Sequence, residues 1–279
     1  MEFGLRAHDF GQGQPEAVAG NLSPYGISCI QLAPAKSFPD WPSEPGAVRG
    51  KVVERARKAF EDRGIRIAVL GCYINPVHPD PDELARQLRR FEETLGFVRD
   101  FGCAVVGTET GSIAPDCSFH PDTAKPSTFD RLCRSVERLL RTAERCGAIV
   151  GIEPVAWQHT VSSIDLARKL ILRLGSPALG IIFDPVNLIP PEGLPGSQAD
   201  FFQEAIDVFG DRIVAIHAKD FRLEGGCKSE ALPAGSGELE YKKLFSLLAK
   251  RGVSPDVLLE NTSPATAPDA LAFLRAAAG

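Results

Sequence analysis

Six times along the chain a helix-like stretch ends in glycine and a short apolar run follows within a few residues. The glycines are Gly64, Gly102, Gly147, Gly175, Gly210 and Gly252. The runs span about 66–71, 103–107, 149–153, 179–184, 213–217 and 256–260. Glycine after a helix adopts the left-handed conformation at little cost, so the chain can turn sharply into a strand. Two earlier runs, Phe3–Ala7 and Ile27–Leu32, complete a set of eight predicted strands.

Between the runs the apolar spacing turns helical. The clearest case is about 127–146, where Phe129, Leu132, Cys133, Val136, Leu139, Leu140 and Ala143 recur with helical period. Ser127 is placed to cap this helix, with Asp130 three residues on. Further helices are predicted near 47–63, 82–101, 163–173, 198–209, 240–251 and 267–277. The stretch 10–25 shows no convincing helix and is expected to be irregular.

Strands alternating with helices imply a parallel sheet. Eight such units in 279 residues imply one closed (β/α)8 TIM barrel over 1–279, a single α/β domain. The alternative, an open doubly wound sheet, predicts a glycine-rich phosphate turn after an early strand, and GQGQPEAVAG only loosely imitates one. Helix-to-strand connections are short. Strand-to-helix connections are long, at about 10–25, 33–46, 72–81, 108–126, 185–197 and 221–239. Long loops carry sites, and in this architecture the site lies at the C-terminal ends of the strands.

Composition narrows the partners. The apolar content of 44% supports a sizeable core. The net charge is −5 and no Lys/Arg block is present, which disfavours nucleic acid. No apolar run approaches the ~20 residues of a membrane span, and the start MEFGLRAHDFGQG lacks signal-peptide order. Seven scattered cysteines form no CxxC pair. Cys29, Cys103, Cys133 and Cys146 lie in apolar segments, as reduced buried thiols in a cytoplasmic protein would. Barrels of this kind often pair, so a homo-oligomer is compatible, but no exposed apolar stripe marks an interface.

Four of the runs close on a metal-binding type of side chain: Glu153 in AIVGIE, Asp184 in ALGIIFD, His217 in RIVAIH and Glu260 in DVLLE. Strand alternation then puts Gly151 below Glu153, Ile182 below Asp184, Ala215 below His217 and Leu258 below Glu260. The four polar groups would converge on the barrel axis. Uncompensated carboxylates brought together are costly, so a divalent cation is the economical neutraliser. Three carboxylates and one imidazole favour Mn2+ or Mg2+, with Co2+ or Zn2+ as alternatives. Taken singly, each residue is more readily read as a cap, turn or salt-bridge partner.

The segments GIEP, FDPVN, IHAKDF, PAGSGELEY and LLEN resemble the xylose-isomerase-like barrels, the sugar phosphate isomerase/epimerase superfamily. The resemblance implies one metal held by Glu153, Asp184, His217 and Glu260. It matches that family's glycine-rich loop to Pro233–Gly237 and an aromatic position to Tyr241. Two positions depart. His159 stands where the epimerases carry a second carboxylate, and Asn187 stands where they carry a histidine. The second departure argues against the three-zinc site of the apurinic endonuclease branch.

The expected activity is a metal-dependent sugar, sugar phosphate or polyol isomerase or epimerase working through an enediolate, with Glu153 and Glu260 as the acid/base pair. The alternative is an inosose-type polyol dehydratase on the same site. A phosphodiesterase would need more rim histidines and a basic face. A non-catalytic sugar-binding barrel would have lost a ligand residue. Candidate substrate contacts are Glu109, His159, Asn187, Lys219, Arg222 and His8, each with a plain alternative: a cap, a loop residue, a solvated surface residue or, for Lys219, a partner of Asp220. Trp41 and Trp157 are assigned to core packing, with an apolar wall against a sugar face as the other option.

Overall fold

The computed structural model describes residues 1–42 and 44–279. Eight parallel strands close into a barrel: β1 (Phe3–Arg6), β2 (Cys29–Leu32), β3 (Arg66–Gly71), β4 (Val105–Glu109), β5 (Ile149–Glu153), β6 (Leu179–Phe183), β7 (Ile213–Ala218) and β8 (Asp256–Leu259). Each strand pairs with its neighbours in sequence, and β8 closes onto β1 through Phe3 opposite Val257. The principal helices outside are α1 (Pro15–Leu22), α2 (Gly50–Glu61), α3 (Pro81–Phe97), α4 (Pro126–Cys146), α5 (Ile164–Leu174), α6 (Gln198–Phe209), α7 (Tyr241–Arg251) and α8 (Ala267–Ala278). Among the described residues no helix is long and apolar enough to cross a membrane.

All six punctuating glycines have positive φ. Gly147, Gly175 and Gly252 cap α4, α5 and α7 in the left-handed conformation, donating their N–H groups back to the last helical carbonyls. Without a Cβ this turn costs nothing sterically, and it reverses the chain into the next strand.

Three local expectations fail for physical reasons. The stretch 10–25 is not irregular, since α1 occupies Pro15–Leu22. Pro15 presets the first helical φ, and Val18, Ala19 and Leu22 form a buried stripe too short to register as a period. Ser127 does not cap α4. The helix begins one residue earlier at Pro126, so Ser127 falls inside the first turn. The fourth strand sits two residues later than expected, at Val105–Glu109, because α3 stops at Phe97 and a turn fills the space up to Gly102.

The barrel interior is packed as alternation predicts. Cys29, Val69, Val105, Ile182, Ala215 and Leu258 form one buried layer inside the strands, separate from the larger core between barrel and helices. Two glycines make room for Ile182. A Cβ on Gly107 would lie 2.6 Å from the Ile182 Cδ1, and one on Gly151 3.1 Å from it. Stepping two residues up from Cys29, Ile182, Ala215 and Leu258 leads to Gln31, Asp184, His217 and Glu260 at the C-terminal rim. All seven cysteines are free thiols, with Cys146 half-buried and Cys227 exposed.

Candidate metal centre

Glu153, Asp184, His217 and Glu260 are all buried, at 3%, 0%, 1% and 4% exposure. One ligand-type atom from each lies within 4.8 Å of the others. Asp184 Oδ1 also caps the turn Pro185–Leu188 by accepting from the Asn187 N–H, which pins its second oxygen, Oδ2, toward the axis.

Cations and donors crowd this quartet. The Lys219 ammonium is 2.8 Å from Asp184 Oδ2 and 3.1 Å from Glu260 Oε2. Arg6 holds Glu260 Oε1 at 2.9 Å and Asp9 at 2.8 Å. Asn187 donates its side-chain amide to Glu153 Oε1 at 2.6 Å. His217 Nδ1 faces Glu153 Oε2 at 3.0 Å and Glu260 Oε1 at 3.3 Å. Despite this proximity, His217 Nδ1 and Asp184 Oδ2 have no well-aligned hydrogen-bond partner. Asp184 Oδ2 is met by the Lys219 charge and His217 Nδ1 has no aligned partner of its own, so the buried oxygen-rich donor set is one that a divalent ion fits.

The titration behaviour follows the crowding. Burial pushes the Asp184 carboxyl up despite Lys219 beside it. Burial pushes Glu260 in the same direction, but His217, Lys219 and Arg6 outweigh it and hold that group well below the carboxylate range. Burial disfavours the charged forms of His217 and Lys219, and the surrounding carboxylates override it. His217 is raised to about 9, and Lys219 is raised well above its ordinary value. Burial raises Glu109 and, against the pull of Glu153, lowers His159.

A cavity of about 270 Å³ reaches the quartet at Glu260 and is lined besides by Arg6, Lys36, Tyr73, Glu109, Val155, Gln158, His159, Asn187, Lys219 and Asn261. It thus gathers four of the expected substrate contacts: Glu109, His159, Asn187 and Lys219. Glu109 faces Glu153 directly across the β4–β5 pair and lies 3.7 Å from His159 Nδ1. Lys219 is not a partner of Asp220. The Asp220 carboxylate instead accepts from the Phe221, Gly235 and Leu239 N–H groups, and so organises the loop around Pro233–Gly237. Tyr241 donates its hydroxyl to the Lys219 carbonyl, fixing the strand end from behind. His8 lies beside Asp9 and outside the cavity lining. Arg222 is exposed and donates to the Ser236 carbonyl, and it does not reach the cavity. Trp157 is not core. It is 58% exposed and stacks on Phe119 at 4.5 Å, whereas Trp41 packs between Phe38 and Phe101.

Sequence reasoning missed Arg6, Gln31, Lys36 and Tyr73. For Gln31 a signal existed: it follows the inward Cys29 by two residues, so it points inward at the rim. At the opposite end of the barrel, Glu2, Cys29 and Asp256 also converge. There Arg66 bonds both carboxylates.

A closed parallel barrel with an acid-and-imidazole quartet at its C-terminal rim defines the class, and the sequence comparison agrees. Residues 20–277 match the family model for the xylose isomerase-like TIM barrel, and the chain belongs to that family. Among curated proteins no sequence matches significantly. Among solved structures, D-psicose 3-epimerase in the presence of D-fructose superposes with a TM-score of 0.76 at 17% identity, covering 100% of both chains. A xylose isomerase-like barrel protein from Mycobacterium smegmatis in complex with magnesium gives 0.76 at 17% identity, covering 100% of this chain and 98% of that one. The 3-keto-D-glucoside 4-epimerase YcjR from E. coli gives 0.74 at 18% identity, covering 99% of each. At such identities these likenesses establish the fold.

Proposed function

We propose that the protein is a divalent-metal-dependent isomerase or epimerase of a small sugar or polyol, with Glu153, Asp184, His217 and Glu260 as the metal ligands. The observation that carries this reading is the convergence of four buried ligand atoms, one from each residue, within 4.8 Å. Oxygen-rich coordination favours Mn2+ or Mg2+. When bound, such an ion would supply Lewis-acid stabilisation of negative charge on adjacent substrate oxygens.

The chain's own residues supply the rest. Glu260 is held as an anion by Arg6 and Lys219. Glu153 is tethered only by the neutral Asn187 amide and His217. That inequality makes Glu153 the better candidate to accept the C–H proton, and Glu260 could return one in an epimerisation only after taking up a proton from solvent itself. Glu109 and His159 line the cavity within reach of each other and are assigned to substrate hydroxyls. The cavity volume suits a compact polyhydroxylated ligand rather than a polymer. Two of the superposed relatives are sugar epimerases, which supports the same reading.

The test is a screen of ketoses and inososes with Mn2+, Mg2+, Co2+ or Zn2+ in D2O. Isomerisation or epimerisation gives a product of unchanged composition carrying solvent deuterium at the reacting carbon, whereas dehydration gives loss of water. Glu153→Gln should abolish turnover while circular dichroism stays unchanged. Near-wild-type activity in that variant would sink the assignment, and so would indifference to every divalent ion.

A further inference from the structure

His217 has to direct one ring nitrogen at the ligand cluster and find a partner for the other. Nδ1 is the one facing Glu153 and Glu260. Nε2 points away from the cluster and lies 2.6 Å from Gln31 Oε1. A neutral imidazole carries a single N–H. If Nδ1 offers its lone pair to an ion, the hydrogen resides on Nε2 and requires an acceptor.

Gln31 offers both an acceptor and a donor, so its own orientation must be fixed. Tyr73 fixes it, because Gln31 Nε2 donates to the Tyr73 hydroxyl oxygen at 2.7 Å. Reversing the amide would set an NH2 group against the His217 N–H. Gln31 is 1% exposed, so water cannot relieve that mismatch. The backbone makes the arrangement rigid, since Gln31 lies on β2 and His217 on β7, both strands of the closed barrel.

We infer that Gln31 is a positioning residue of the metal centre: it locks His217 in the Nε2–H tautomer, and Tyr73 locks Gln31. The inference rests on the metal-binding reading of the quartet. Partners of this kind set ligand orientation and basicity, and their loss typically lowers metal affinity by about 10–100-fold.

The experiment titrates Co2+ into metal-free wild type, Gln31→Met, Gln31→Glu and Tyr73→Phe. Gln31→Met keeps the volume and removes the acceptor, so its Co2+ affinity should fall by about 10–100-fold. Gln31→Glu retains an acceptor for His217 and should bind within about threefold of wild type or tighter. Tyr73→Phe leaves Gln31 free to turn and should fall between these limits. Long-range 1H–15N spectra of the zinc-loaded wild type should show the His217 proton on Nε2. Equal Co2+ affinity across all four proteins, or a proton on Nδ1, overturns the inference while leaving the metal site standing. Should Gln31→Met fail to fold, the glutamate variant and the spectra still decide. If wild type itself takes up no Co2+, the metal-binding reading falls first and this inference falls with it.

Discussion

Lys219 and Asp184 form a buried ion pair, Nζ to Oδ2 at 2.8 Å, at the point where two strand ends meet. The ammonium also reaches Glu260, so one lysine balances much of the negative charge the quartet would otherwise bury. Removing one partner of a buried pair typically costs about 3–5 kcal/mol, because the other is left uncompensated. Lys219→Met should therefore destabilise the metal-free protein by about that amount in denaturant unfolding. Saturating Mn2+ should recover more stability in the variant than in wild type, since the ion replaces the lost charge. Unchanged metal-free stability would show that Lys219 is not the counter-ion.

Asn187 is the neutral tether of Glu153, 2.6 Å from Oε1. Asn187→Asp would set two carboxylates face to face at that distance. The expected result is a loss of turnover of about 10–100-fold, of the size that follows when a group holding a reacting side chain is removed. Far-ultraviolet circular dichroism should be unaltered. Full activity in this variant would remove Asn187 from the site.

Two glycines should respond to alanine in opposite directions. At Gly237 a Cβ would lie 2.2 Å from the Phe221 carbonyl oxygen and 2.5 Å from Asp220 Oδ1. Gly237→Ala should break the Asp220-centred loop and cost about 2 kcal/mol or more. Gly96 lies inside α3 with open space around it. Gly96→Ala should raise stability by about 0.5–1 kcal/mol. Thermal melts of the two variants check both signs.

His8 gives a pH dependence with a definite direction. Burial, and then Arg6 and Lys36, pull its pKa from the ordinary value of 6.5 to about 3, although Glu260 favours the charged form. The folded protein therefore binds this proton less readily than the unfolded chain. Stability from the neutral ring is full above pH 6.5 and is lost as pH falls from there toward 3. With allowance for partial exposure, the loss is about 1–2 kcal/mol at pH 5. His8→Gln should flatten that part of the stability profile, and an unchanged slope would assign it to other groups.

The quartet was legible because each member closes an apolar run, so local pattern alone marks strand, end and inward face. The layer beneath it was legible for the same reason, as Ile182, Ala215 and Leu258 show. The partners that tune the quartet were not. Gln31 meets His217 across 186 residues of sequence, and Arg6 meets Glu260 across 254. Only barrel closure makes those pairs neighbours, and no local period encodes it. The missed helix α1 illustrates the opposite limit: eight residues with Gly20 inside carry too little periodicity to stand out.

Trp157 adopts a left-handed backbone, φ 65°, and stacks in the open on Phe119. The next two residues, Gln158 and His159, line the cavity. The molecule therefore carries a built-in optical reporter one residue from its ligand space. Trp41, seated among Phe38 and Phe101, provides a drier internal reference emission. Intrinsic fluorescence can thus register a ligand entering this barrel before any reaction product has been identified.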